Sequence, residues 1–266
     1  VPFFTFYSMF GFQRVGDLIW AAADARARGF LVGGTSGRSS LPGEGLQHAD
    51  GQSHAYAFAV PSLRAYDPTF AYELALIIRD GIRRMYVENE DLMYYITVMN
   101  EKYRMPSMPD GVEEGVLRGL YRYRVSEKSA KNRVRLLGSG AILNEALRAA
   151  EILEENHDVA ADVYSATSYK ALYDDAVTAD RWNMLHPNGD QKTPYVTAVL
   201  SDEAVTVAAC DYLRSVPLSI ANWVPGPFLA MGADGFGRSD VREAMRRHFE
   251  LDGECIALAA LRGLQR

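Results

Sequence analysis

Apolar residues along the chain alternate between a three-to-four-residue spacing and short unbroken runs, the pattern of helices interleaved with strands. Val15, Leu18, Ile19 and Ala22 predict a helix over 8–28, which Gly29 ends. Phe30-Leu31-Val32 reads as a short buried strand, and a glycine-rich loop follows over 33–51. Ala55 to Val60 is strand-like and stops at Pro61, and Leu63 to Tyr66 is a further short strand. Leu74, Ile77, Ile78, Ile82 and Met85 mark one apolar helix face, with Asp67 as the expected N-cap and Pro68 at the first helical position. Leu92 to Val98, aromatic and β-branched, predicts a buried strand, and strand–helix–strand at this spacing implies a parallel crossover.

Met105 to Gly115, with two prolines and two glycines, is the best candidate linker, after which the alternation restarts. Val134 to Leu137 predicts a strand running into Gly138-Ser139-Gly140, and Leu143, Ala146, Leu147, Ala150 and Leu153 predict the next helix. Ala161–Ser165, Tyr195–Leu200, Val205–Ala209 and Phe228–Met231 read as strands, and Val241–Phe249 and Cys255–Leu264 as helices. The expected organisation is a first α/β unit over 1–105, a linker over 106–132 and a second α/β unit over 133–266. Val1 to Phe6 reads as an aromatic-rich buried segment, so the chain is expected to begin inside a folded unit, after cleavage or beside a partner carrying the first part.

Composition narrows the function classes. A length of 266 residues, 48% hydrophobic and 23% charged, is that of a globular protein, and a net charge of −6 argues against nucleic-acid binding. No apolar run reaches the roughly 18 residues of a membrane span, and no signal peptide is visible. Cys210 and Cys255 are too few for a disulfide framework and read as buried thiols of a cytoplasmic protein.

The segment GEGLQHADGQSH, residues 43–54, carries two of the five histidines. His48, Asp50 and His54 allow a two-histidine, one-carboxylate metal set to be drawn. The same residues suit an acid/base loop, since histidine titrates near neutral pH, or a solvated loop. His157 and His248 read as surface residues, and the neighbours of His186 suggest partial burial. The run 33–40, GGTSGRSS, is rich in donors that could cradle an anion, yet it lacks a P-loop lysine. Gly138-Ser139-Gly140 lacks a third glycine for a dinucleotide fingerprint, and residues 234–240 read as a helix-entry loop. Phe6, Tyr7, Phe10 and Phe12 surround a helix start, either as core or as a shelf for a planar heterocycle, with Arg14 one turn on.

Taken in order, YSMFGFQRVGD, RGFLVGGTSGR, LPGEGLQHADGQSH, YDPTFAYELA, LLGSGAIL, DVYSATS, RWNMLHP and DGFGRSD resemble the C-terminal part of the homodimeric-type pyruvate dehydrogenase family. The resemblance implies the second half of a thiamine-enzyme pyrimidine-binding domain followed by a transketolase-like C-terminal α/β domain. It implies thiamine diphosphate and magnesium as cofactors, decarboxylation of a 2-oxoacid, and acyl transfer to lipoamide on an acyltransferase component. It further implies that Phe10 stacks on the aminopyrimidine with Tyr7 and Arg14 nearby. His48 would be the active-site histidine, a proton donor in acyl transfer, oriented by Glu44.

Two departures stand out. Relatives usually read His-Glu-Asp-Gly-His-Ser-His where this chain has Ala49 and Gln52, which opens the alternative of a specialised 2-oxoacid decarboxylase or acyloin-forming enzyme. The family's magnesium-binding segment and its activating glutamate are absent from the sequence. The metal and diphosphate ligands are therefore expected from the missing N-terminal portion or a partner subunit, in a homo- or hetero-oligomer. A non-catalytic scaffold subunit is the third alternative.

Overall fold

Strand Phe3–Tyr7 (β1) runs without a break into helix Ser8–Asp24 (α1), which kinks at Val15. The computed structural model describes residues 1–265. Gly29–Gly34 (β2), Leu63–Tyr66 (β3) and Met93–Thr97 (β4) join β1 in a parallel sheet of order β1-β2-β4-β3. Between β2 and β3 lie a 3₁₀ turn over Leu46–His48 and the short helix Ser53–Ala57 (α2). Helix Ala71–Ile82 (α3) crosses from β3 to β4 and continues as a π-helical turn over Arg83–Val87. Phe30, Ile77, Met85 and Tyr94 bury its apolar face against the sheet.

The second sheet has the order β5-β7-β6-β8-β9, built from Tyr121–Arg124 (β5), Asn132–Gly138 (β6), Val159–Ser165 (β7), Val205–Ala209 (β8) and Phe228–Met231 (β9). Only β5 is antiparallel to its neighbour. The helices of this half are Glu113–Arg118 (α4), Ile142–Asn156 (α5), Tyr169–Leu185 (α6), Tyr195–Val199 (α7), Ser215–Leu218 (α8), Arg242–His248 (α9) and Gly253–Gly263 (α10). Leu136, Leu143, Ala146, Val163, Val207 and Ile256 form the core between sheet and helices.

Several sequence expectations change. The segment 55–60 opens as helix because the Asp50 carboxylate accepts the amides of Gln52 and Ser53 and turns the chain into α2. Tyr195–Val199 is also helical, entered through Pro194 and held by the Asp175 carboxylate on the Tyr195 amide at 2.6 Å. Within 106–132, α4 and β5 form because Val112, Val116 and Tyr121 bury against Phe30, Ile77 and Tyr94. Asp67 does not cap α3; the Glu73 carboxylate takes the Thr69 and Phe70 amides instead. Val1 to Phe6 is not buried: β1 is an edge strand, with Phe4 60% exposed. Cys255 is half-buried, unlike the enclosed Cys210, and His186 is exposed, stacked on Trp182.

Candidate active site

The junction of β1 and α1 places Tyr7 at the strand end and Phe10 one turn into the helix. The 3₁₀ turn delivers His48 to the same spot. Its ring lies 4.7 Å from Tyr7 and 5.0 Å from Phe10, centroid to centroid, while the two aromatics are 5.9 Å apart. Arg14, four residues after Phe10, holds its guanidinium carbon 4.7 Å from the Phe10 ring centre, a cation–π distance. Glu44 Oε2 is 3.9 Å from His48 Nδ1, an ion-pair distance too long for a hydrogen bond. Nδ1 is buried without a hydrogen-bond partner. The five candidates thus form one patch, and it faces outward, with Tyr7 52% exposed.

The metal alternative loses its geometry. Both Asp50 oxygens are taken, by the Gln52 and Ser53 amides and by Ser53 Oγ at 2.6 Å. His54 turns away from His48 and bonds Thr97 Oγ1 through Nε2 at 2.9 Å. Burial pushes the His54 pKa down to about 3, so the ring is neutral. Among the described residues no group of three or more His, Cys, Asp or Glu side chains is placed to hold a metal ion.

Each glycine-rich loop that could have cradled an anion is filled by a carboxylate of this chain. The Ser39 and Ser40 amides donate to Asp211, beyond β8, at 2.7 and 2.9 Å. Gly37, at φ +90°, is required there, because a Cβ would lie 2.5 Å from Asp211 Oδ2. Reciprocally, Gly140 in the second half packs on Asp67 from the first, where a Cβ would lie 2.6 Å from Oδ2. Burial raises the Asp211 pKa, opposed by the Ser39 and Ser40 hydrogen bonds. Arg38 is fully enclosed beneath the His48 loop, a feature that residue spacing does not reveal because nothing in the sequence marks an arginine for burial.

Residues 1–106 match the family model of the pyruvate dehydrogenase E1 component middle domain, and 119–252 that of the transketolase-like C-terminal domain. The pyruvate dehydrogenase E1 component of Escherichia coli K12 is 51% identical over 263 residues, covering 98% of this chain and 29% of that protein. That of Pseudomonas aeruginosa is 50% identical over 266 residues, covering 99% of this chain and 30% of that protein. The chain therefore spans under a third of the length of these relatives. Among solved structures, the transketolase of Leishmania mexicana superposes with a TM-score of 0.74 at 18% identity, over 100% of this chain and 34% of that one. A split-gene transketolase, described as an inactive β4 tetramer, gives 0.65 at 15% identity over 100% and 77%. At those identities the superpositions speak for the fold. The chain belongs to the transketolase-like C-terminal domain family, in the arrangement that sets this domain behind a pyruvate dehydrogenase E1 middle domain.

Proposed function

We propose that the chain supplies the pyrimidine-side half of the active site, and the C-terminal domain, of a thiamine-diphosphate-dependent pyruvate dehydrogenase. The complete enzyme decarboxylates the 2-oxoacid and passes the acyl group to lipoamide on an acyltransferase component. The observation that carries this reading is the convergence of Tyr7, Phe10 and His48, at centroid distances of 4.7 to 5.9 Å, in a chain about half identical to such enzymes.

The residues present fit one end of the cofactor. Phe10, half-buried, and the exposed Tyr7 offer aromatic surface to a planar aminopyrimidine, and Arg14 lies against Phe10. Thiamine diphosphate, when bound, supplies a nucleophilic ring carbon and an electron sink for decarboxylation. His48 would donate a proton to the lipoyl sulfur that leaves as a thiolate when the dithiolane S–S bond opens during acyl transfer. Glu44, on the same loop, faces His48 with Oε2 3.9 Å from Nδ1 and helps to orient the ring. Magnesium and the diphosphate are assigned to the upstream part of a longer protein or to a partner subunit within an oligomer, in keeping with relatives more than three times as long.

The specialised decarboxylase or acyloin reading gains no support at its two motivating positions. Ala49 is buried against Gly237 of the C-terminal domain, and Gln52 Oε1 accepts the Gly51 amide at 3.0 Å, so the one serves packing between loops and the other the loop's own turn. A scaffold would have no need of the assembled patch. The test is His48→Ala in the assembled enzyme, with decarboxylation followed by dye reduction and acyl transfer by acetylation of a lipoyl domain. Transfer should fall by about 10²–10⁴-fold, the usual worth of a general acid, and decarboxylation by far less. Unchanged transfer would remove His48 from the mechanism.

A further inference from the structure

We propose that Arg38 is a positioning residue for His48, through which the C-terminal domain fixes the imidazole for the transfer step. The inference rests on the reading of His48 given above, and extends it to a residue and a domain that do not touch the reacting atoms.

Arg38 is 0% exposed. Its Nη1 donates to the carbonyls of Ala233 at 2.5 Å and Gly235 at 2.7 Å, both in the loop after β9. Its Nε points at the carbonyl of Ala49, next to His48, at 3.5 Å. The guanidinium also lies against Gly51, where a Cβ would stand 2.4 Å from Cζ. One planar group thus spans the loop that carries His48 and a loop of the other domain. Burial lowers the Arg38 pKa, opposed by the negative charges of Asp50, Asp211 and Asp234, and these keep the cation tolerable there.

A second contact repeats the link. A Cβ on Gly237 would lie 2.3 Å from Ala49 Cβ and 3.3 Å from the Leu46 carbonyl, so the two loops interlock on both sides of His48. The Leu213 amide donates to the Gly51 carbonyl at 2.8 Å, closing the far end. The His48 ring has little anchorage of its own. Nδ1 has no hydrogen-bond partner, and the ring rests on Tyr7 and Phe10. Its aim is therefore set by backbone placement, and a loop shift passes directly to the imidazole. Apolar packing alone could hold two loops together. A buried cation is an expensive way to do so, since Nη2 is left without a hydrogen-bond partner, yet Nη1 and Nε bring directional hydrogen bonds that apolar contact lacks.

The test compares Arg38→Met, Arg38→Lys, Arg38→Ala and Gly237→Ala with His48→Ala in the assembled enzyme. Decarboxylation by dye reduction and acetylation of a lipoyl domain are read separately, each as a function of pH. Arg38→Met and Gly237→Ala should lower the transfer kcat by about 10²-fold, the cost of a misplacement near 1 Å, with decarboxylation held within about threefold. The pH profile of transfer should shift with them. Arg38→Lys should recover part of the loss, and added guanidinium chloride at low millimolar concentration should do so for Arg38→Ala. Wild-type transfer and pH profile in Arg38→Met, alongside a transfer-defective His48→Ala, would overturn the positioning role alone. So would a parallel fall of both half-reactions that neither Lys nor guanidinium restores. Full transfer in His48→Ala would overturn the underlying reading as well.

Discussion

The phenol of Tyr212, beyond β8, donates to the Asp67 carboxylate, beyond β3, at 3.1 Å and ties the two sheets together through a buried acid. Thr97 Oγ1 donates to the same Oδ1 at 2.6 Å and meets His54 Nε2 at 2.9 Å, so the imidazole is the neutral Nε2–H tautomer. Burial raises the Asp67 pKa to about 7 against the hydrogen bonds from Thr97, Ser139 and Tyr212, and lowers that of His54 to about 3.

The two shifts act on stability with opposite signs. Between an unfolded value of about 3.9 and its folded value near 7, Asp67 holds a proton that the unfolded chain has released, so its contribution falls as pH rises. Between a folded value near 3 and an unfolded value of about 6.5, His54 excludes a proton that the unfolded chain binds, so its contribution falls as pH drops. Over the shared window of about pH 4 to 6.5 the slopes oppose. Asp67→Asn should expose the His54 slope, a loss of up to about 1.4 kcal/mol per unit of acidification. His54→Gln should leave a decline with rising pH. Urea midpoints across this range provide the measurement, and an unaltered pH slope in Asp67→Asn would contradict the assignment.

Phe10→Ala should weaken cofactor binding more than it weakens the fold. An aromatic contact contributes about 0.5–1.5 kcal/mol beyond area burial, or about 2- to 12-fold in apparent affinity. Cofactor titration of the assembled enzyme reads this directly, and the melting temperature of the chain should change little because Phe10 is only partly buried.

Arg246 joins the end of the first half to the second. It pairs with Glu101 and, at 2.9 Å, with Glu145, all three being largely buried. Arg246→Met should cost about 3–5 kcal/mol by stranding buried carboxylates. Adding Glu145→Gln and Glu101→Gln should recover much of that loss. Denaturant titration of the series checks both statements.

Gly37 and Gly43 both adopt left-handed backbone, at φ +90° and +71°, but only Gly37 also meets a neighbour. Gly43→Ala should show the conformational penalty alone, about 1 kcal/mol. Gly37→Ala should lose more, because its Cβ displaces the Asp211 carboxylate from the Ser39 and Ser40 amides. Equal losses in the two variants would show that the Asp211 contact carries no weight.

For the aromatic run before Arg14 and the loop holding His48, periodicity left several readings open, and the family resemblance chose among them. Periodicity by itself determined the α/β alternation and most strands. These are local properties: a helical face or an apolar run is written within ten or fifteen residues. Where the same logic failed, a distant group had intervened. Tyr195–Val199 has β-branched residues suited to a strand, yet Asp175 and the burial of Val196 make it a helix turn. The stretch around Val112 and Val116 looked like a linker until the first sheet supplied a surface for it. The donor-rich loop at 33–40 looked fit for an anion, and only the fold brought Asp211 to it from 171 residues away. The burial of Arg38 follows the same rule. Whether a polar group is a ligand site or a structural brace depends on what the chain packs against it, and that is decided by tertiary contacts rather than by neighbours in sequence.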